Sequence, residues 1–414
     1  MATLAHAQSS KSWPQFRGPE GDGKVDAASS RIGWDGDQPN VLWKKPTPLG
    51  FSSFSVANGR AITLIAEKDD AGDEAQTCVA MDSQTGAELW SYAMSKHDYG
   101  RGGGDAGARG NKGGDGPRST PAIDGDHVYV YDGQLLLVCL KANTGELVWK
   151  VDVLKDHDGR NIAWANAISP VVDGQRVYIA GGGAGQSMMA LNKLTGAVIW
   201  ETGDEEMTHA TPVVRTINGI RQVIFYMQSG LIALDPEDGT EQWRAPFDYR
   251  TSSAASPVTA GNLVYCSAGY GVGAGLFEIS DSGGEGMSVK EVWRKPNRLM
   301  NHWSTPVVHD GHLYGLFSFK KYGKGPLQCV ELATGEIKWE RTGFGPGNCI
   351  LVGETLVVLS DSGELVTVAA KPDSYQEIAR AKVLKGKCWS TPAYSEGKVY
   401  VRSTEEGACV ELDE

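Results

Sequence analysis

Apolar and polar residues alternate along this chain in short runs, each ended by a turn. The stretch from Val79 to Trp90 shows the unit. Val79-Ala80-Met81 reads as the end of a strand, Asp82-Ser83-Gln84-Thr85-Gly86 carries turn chemistry, and Glu88-Leu89-Trp90 resumes the alternation. That is a β-hairpin with a large aromatic at one fixed place. A lone hairpin cannot bury an indole, so the unit must stack on a neighbour.

The unit returns. Gly stands four residues before Trp at Gly86/Trp90, Gly145/Trp149, Gly196/Trp200, Gly239/Trp243 and Gly335/Trp339. Ten residues before each Trp is a small residue: Ala80, Cys139, Ala190, Ala233 and Cys329. Trp293 ends a further copy whose turn is swollen by Ser282–Ser288, and Trp43 opens the series with no strand before it. Each indole is expected to cover the Thr-Gly turn of the next copy, where glycine admits close approach.

A second signal lies between the Trp positions. Pro121, Pro170, Pro212, Pro257, Pro306 and Pro392 each follow Ser or Thr and precede an apolar strand. Spacing puts Ser55 and Cys349 at the same place in the two remaining units. Proline lacks the N–H that a sheet ladder needs, so a recurrent strand proline marks an edge strand. Each unit then has four strands: the Pro-bearing edge, a Val-Tyr-Val strand, an Ala-Leu-Asp strand and the Trp strand.

Four-stranded units repeating every about 40–50 residues predict an all-β chain, a β-propeller. Eight Pro-equivalent positions give eight blades. The last unit, Trp389 to Leu412, has three strands, and Asn40-Val41-Leu42-Trp43-Lys44 supplies its fourth, closing the ring. Blade 7 has lost its Trp near Ala379, and seven blades is the alternative if that unit does not form. Residues 1–12 read as a residual signal or disordered start, 13–40 as an irregular leader lying across one face, and 41–414 as one propeller.

The Ala-x-Asp-x-x-Thr-Gly-x-x-x-Trp block resembles the tryptophan-docking motif of the eight-bladed quinoprotein (PQQ) alcohol dehydrogenases. It also occurs in their non-enzymatic relatives, including the BamB scaffold of outer-membrane protein assembly. The resemblance covers Val41 to the C-terminus. Trp13-Pro14-Gln15-Phe16-Arg17-Gly18-Pro19, Gly116-Pro117-Arg118-Ser119-Thr120-Pro121, Asn301-His302-Trp303-Ser304-Thr305-Pro306 and Lys387-Cys388-Trp389 are similar to segments of secreted bacterial PQQ-like repeat proteins. The family block implies a fold; activity does not follow from it.

A net charge of −12 argues against nucleic acid as a partner. No apolar run is long enough to span a bilayer. Leu4-Ala5-His6-Ala7-Gln8 reads as the end of a secretory signal, placing the protein in the periplasm or outside the cell, and a monomer is expected. The 7 cysteines show no framework or zinc spacing; Cys139, Cys329 and Cys409 read as core, and a Cys349–Cys388 disulfide is left open. The Gly-rich stretch Lys96–Gly116 reads as a mobile loop rather than a phosphate cradle.

Residues entering the inner strands must ring one mouth of the channel. Reading upstream of each Pro position gives Arg118, Trp164, Asn166, His209, Asn301, His302, Trp303, Asn348, Lys387 and Trp389 as candidate ligand or partner contacts. Aromatics with convergent donors are what binding sites use. By the family resemblance, a PQQ/Ca²⁺-dependent dehydrogenase would need a catalytic Asp, a Ca²⁺ site of Glu/Asn/Asp, a Trp floor and usually vicinal cysteines. Adjacent cysteines are absent from the sequence and no carboxylate stands at a strand entry, whereas Trp303 or Trp389 would serve as a floor. The reading is therefore a non-catalytic binding or scaffold propeller with a protein or glycan partner at the mouth, no metal and no cofactor. The alternative is the quinoprotein dehydrogenase.

Overall fold

The computed structural model describes residues 12–27, 32–69, 71–96, 116–251, 253–281, 286–317 and 325–412. The cleavage-site reading, the Gly-rich loop and part of the turn before Trp293 lie outside the described residues.

Eight sheets follow one another along the chain, each built on four antiparallel strands, and in the first seven blades those four strands stand side by side in chain order. Blade 1 is Ser55–Ala57, Arg60–Lys68, Glu74–Asp82 and Glu88–Lys96; blade 2 is Ala122–Asp124, His127–Tyr131, Leu136–Lys141 and Leu147–Asp152. Blade 3 is Val171–Asp173, Arg176–Ala180, Met188–Asn192 and Val198–Thr202; blade 4 is Val213–Ile217, Ile220–Met227, Gly230–Leu234 and Glu241–Pro246. Blade 5 is Val258–Ala260, Leu263–Ala268, Gly273–Asp281 and Met287–Pro296; blade 6 is Val307–His309, His312–Leu316, Leu327–Glu331 and Ile337–Arg341. Blade 7, complete despite its lost Trp, is Asn348–Val352, Thr355–Leu359, Glu364–Ala369 and Glu377–Lys382. Blade 8 is Ala393–Ser395, Lys398–Arg402 and Glu406–Glu411, completed by Val41–Pro46 from the chain start. The protein is an eight-bladed propeller closed through Val41–Pro46.

The small residue faces the Trp across the ladder: Ala80↔Trp90, Cys139↔Trp149, Ala190↔Trp200, Ala233↔Trp243, Cys329↔Trp339 and Cys409↔Trp43. A bulge sits beside each of these pairs and aims the indole toward the next blade. A Cβ on Gly86 would lie 2.7 Å from Trp43, and one on Gly196 2.7 Å from Trp149, so only glycine admits the ring. Each indole N–H then donates to the carbonyl three residues before that glycine, as in Trp90 to Ala142 at 2.9 Å and Trp200 to Pro236 at 2.9 Å. Trp339 keeps the bond, to the Lys371 carbonyl at 2.7 Å, although Ser374 stands where the glycine would be, and Trp243 departs further. Blade 5 lacks the Thr-Gly turn, and its N–H goes to the side chain of Gln222 in its own blade. In blade 7 Ala379 stands opposite Thr367, and the leader fills the gap. Gly33 lies against Ile378 and Ala379, and Trp34 is buried in the cluster shared by blades 7, 8 and 1.

Neighbouring blades are also stitched by the Ser/Thr that precedes the inner-strand proline. The backbone N–H of Ser53 donates to Thr120 Oγ1, that of Thr120 to Ser169 Oγ, that of Ser169 to Thr211 Oγ1, and that of Thr391 back to Ser53 Oγ. This belt corrects the register of blade 1. Ser55 pairs with Ile62 as Ala122 pairs with Tyr129, so Phe54, not Ser55, occupies the proline place.

The leader closes the far end of the channel. Trp13 bridges Val56, Pro14 accepts from the Ile123 N–H, and Lys24–Val25 adds a parallel strand to the inner edge of blade 7. Arg17 is buried on the way, donating to the carbonyls of Thr305 at 2.7 Å, Pro306 at 2.9 Å and Asp22 at 2.8 Å. All seven cysteines are buried free thiols, so Cys349 and Cys388 are unbonded. Among the described residues no helix is long and apolar enough to cross a membrane.

Candidate functional site

The mouth opposite the leader is built largely from one repeat position. Two residues before the belt Ser/Thr stand Phe51, Arg118, His209, Trp303, Pro346 and Trp389, with alanines in blades 3 and 5. The chain enters each inner strand here, so these side chains converge on the axis. Phe51 was hidden in the sequence by the one-residue register error in blade 1. Tyr270 comes from a different loop, between the second and third strands of blade 5, and has no repeat signal.

Rings from different blades form a stack. Trp303 lies on Trp389 at 4.1 Å between centroids, inclined 29°, and Trp389 lies on Phe51 at 5.0 Å, also 29°. Arg118 caps the stack over Phe51 at 5.7 Å, and Lys387 Nζ sits 5.0 Å from the Trp389 ring. At the other end His302 meets Trp303 edge-on at 5.0 Å and Tyr270 meets His302 at 5.0 Å. Trp303 Nε1 donates to the Pro346 carbonyl at 2.8 Å, fixing the indole from blade 7's entry loop. Trp389 is therefore sandwiched, with both faces covered by protein rings.

Trp164 and His209 stand apart from the stack. Trp164 and Ala165 both hold left-handed backbone, φ 71° and 59°, a costly conformation for non-glycine residues. Arg118 holds this loop by donating to the Trp164 carbonyl at 3.1 Å and the Gly116 carbonyl at 3.1 Å. The Trp164 ring meets His209 edge-on at 6.5 Å. His209 is only 7% exposed, and its Nε2 has no hydrogen-bond partner. Burial, with the charge of Arg118 adding to it, lowers the imidazole pKa to about 4 against the pull of the Ala163 and Ala165 carbonyls. The ring is neutral at pH 7.

The three asparagines are part of the frame. Asn166 donates to the carbonyls of Asp132 at 3.1 Å and Ile168 at 3.3 Å and accepts from Ile168 N–H at 2.9 Å. Asn301 accepts from Tyr265 at 2.7 Å and donates to Leu316 at 2.9 Å, and Asn348 donates to the Trp389 carbonyl at 2.6 Å. All three are buried. The structure thus brings Arg118, Trp164, His209, His302, Trp303, Lys387 and Trp389 to the mouth surface or just beneath it, and sets the asparagines behind them.

The groups that a quinone with calcium would call on are already engaged within the protein. The Asn carboxamides that would serve a hard cation already hold backbone, and among the described residues no group of three His, Cys, Asp or Glu side chains converges. A quinone floor needs an open indole face; Trp389 has none, and Trp303 lies on Trp389.

The sequence model described as "Outer membrane protein assembly factor BamB" matches residues 74–341. The curated relative of that name from Yersinia pestis is 26% identical over 270 residues, 61% of this chain and 63% of its own length. BamB from Moraxella catarrhalis superposes with a TM-score of 0.60 at 16% identity, covering 90% of this chain and 97% of its own. Quinohemoprotein alcohol dehydrogenase from Comamonas testosteroni gives 0.69 at 14% identity, covering 98% and 81%. At such identities these two likenesses are of fold alone. The matched segment runs from the third strand of blade 1 to the last strand of blade 6 and takes in six of the blade tryptophans, Trp90, Trp149, Trp200, Trp243, Trp293 and Trp339, and on it the chain belongs to the family of outer membrane protein assembly factor BamB.

Proposed function

We propose that the protein is a non-catalytic, extracytoplasmic binding or scaffold propeller that holds a protein or glycan partner at its mouth. The observation that carries this is the Trp303–Trp389–Phe51 stack. It forms a rigid aromatic surface flanked by Arg118 and Lys387. Rigid aromatics and arginine at a mouth supply large contact area with little entropy to lose, the composition of binding hot spots. The family match supports the same reading, because the relative is named as an assembly factor. No mouth residue is assigned a catalytic role.

The test is capture from an extracytoplasmic extract by immobilised protein, beside a variant with Arg118, Trp303 and Trp389 all changed to Ala. None of the three belongs to the docking series, so the variant keeps its β-sheet circular dichroism while losing the captured partner. A folded triple variant that captures the same partner places binding elsewhere on the propeller.

A further inference from the structure

We propose that the cavity between the inner hairpin turns of blades 8, 1 and 2 is a site for a small protonated amine, an ammonium group on a short aliphatic stem. It lies on the face crossed by the leader, away from the mouth, and encloses about 240 Å³. That is smaller than a drug-sized pocket and takes a fragment. Glu396 lines it beside Ser12, Asn58 and Ser83, with Val56 and Ile123 as its apolar wall, and among the described residues no Lys, Arg or His joins the lining. The polar groups are set to accept. Asn58 Nδ2 donates to the Gly125 carbonyl at 3.4 Å, so its Oδ1 is the end left to the cavity. Ser83 donates its backbone N–H to the Gly59 carbonyl at 2.9 Å, and its own carbonyl accepts from Trp43 at 3.0 Å and Tyr400 at 3.3 Å, so what it offers the cavity is its hydroxyl.

Glu396 is also out of pattern. The same turn in blades 1, 4 and 6 carries Asn58-Gly59, Asn218-Gly219 and Asp310-Gly311, each pair left-handed, and short Asn or Asp suits that backbone. Blade 8 has glutamate there at φ 51°, followed by Gly397 at 74°. A long side chain in that conformation costs the turn stability, and such outliers cluster where a site needs them. Here it supplies the cavity's carboxylate. An ammonium group has three donors and no acceptor, so the carboxylate, hydroxyl and amide oxygens answer it, while its methylenes lie on Val56 and Ile123. One carboxylate is too little for a hard metal ion, and an anion meets no positive group in the lining. The chain's charge of −12 draws cations toward it.

The experiment is calorimetric titration of the full chain with n-butylammonium chloride, with n-butanol as its uncharged match, and with a lysine tripeptide beside its norleucine counterpart. Expected is saturable butylammonium binding, about tenfold tighter than butanol. Glu396→Asn removes that preference while its melting temperature stays at or above that of the wild type, because asparagine suits the left-handed turn. The tripeptides separate two sources of the same chemistry. A lysine peptide that binds more tightly than the norleucine one assigns the site to a polypeptide side chain, and butylammonium binding alone assigns it to a free amine. A lack of saturable butylammonium binding or equal affinity for butanol overturns the proposal. So does a preference unchanged in Glu396→Asn, which would show that the acidic chain attracts amines without this cavity.

Discussion

Arg402 of the last blade donates to the Leu49 carbonyl at 2.6 Å, tying the final sheet to the connection that leads into the first. The same guanidinium reaches the Thr47 carbonyl, Thr63 Oγ1 and the Leu64 carbonyl. It is 1% exposed, and burial lowers its pKa to about 9, so it remains charged at neutral pH. Arg402→Met is expected to cost about 3 kcal/mol or more, because several buried carbonyls lose their donor at once. Urea denaturation measures it, and an unchanged midpoint would mean that ring closure does not rely on this clamp.

The docking tryptophans are expected to behave as core. Trp200→Ala should cost about 3–5 kcal/mol, and Trp149→Ala a similar amount. Gly196→Ala should also destabilise, since φ is +72° and the new Cβ would meet Trp149 at 2.7 Å. Thermal melting of the three variants decides this; wild-type melting in all of them would break the docking assignment.

The leader is expected to be part of the ring. Removing residues 1–46 takes away the fourth strand of blade 8 together with Trp34, buried in the cluster against which Ala379 packs, and should yield aggregation through the exposed edge. Trp34→Ala alone should lower stability by about 3 kcal/mol. Combining it with Ala379→Trp, which restores an indole to blade 7, should recover part of the loss. A soluble, monomeric truncation with its full β-sheet signal would refute this role.

Stability should depend on pH through His209. Its folded pKa, about 4, lies below the usual histidine value, so the unfolded chain binds the proton more readily. Stability is then full above about pH 6.5, falls as pH drops through 6.5, and levels off near the folded pKa, a change of about 3 kcal/mol. His209→Gln should flatten denaturation midpoints between pH 7.5 and 4.5 relative to wild type. An identical slope in the variant would assign the acid sensitivity to other groups.

The fold was legible in the sequence because a propeller repeats its packing. The Gly–Trp spacing, the small residue facing each Trp and the inner-strand proline each report one contact made many times. Blade 1 shows the limit: with Phe54 in the proline place, spacing alone chose Ser55, and Phe51 dropped out of the mouth. The leader's part was illegible for another reason. Gly33 lies against Ala379, where blade 7 lacks its Trp, and nothing local in either segment encodes that contact. At the mouth the residue types were readable from position, but their engagement was not. Asn166, Asn301 and Asn348 turned inward because loop carbonyls needed donors, and Trp303 found Trp389 across a blade between them.

The most direct measurement is titration of the purified protein with PQQ in the presence of Ca²⁺, followed by quinone absorbance and dye-linked alcohol oxidation. With Trp389 sandwiched between Trp303 and Phe51 and the carboxamides committed to backbone, no saturable absorbance shift and no turnover are expected. Stoichiometric uptake with alcohol oxidation would contradict the binding-propeller reading and make the Trp303–Trp389 pair a cofactor floor that opens.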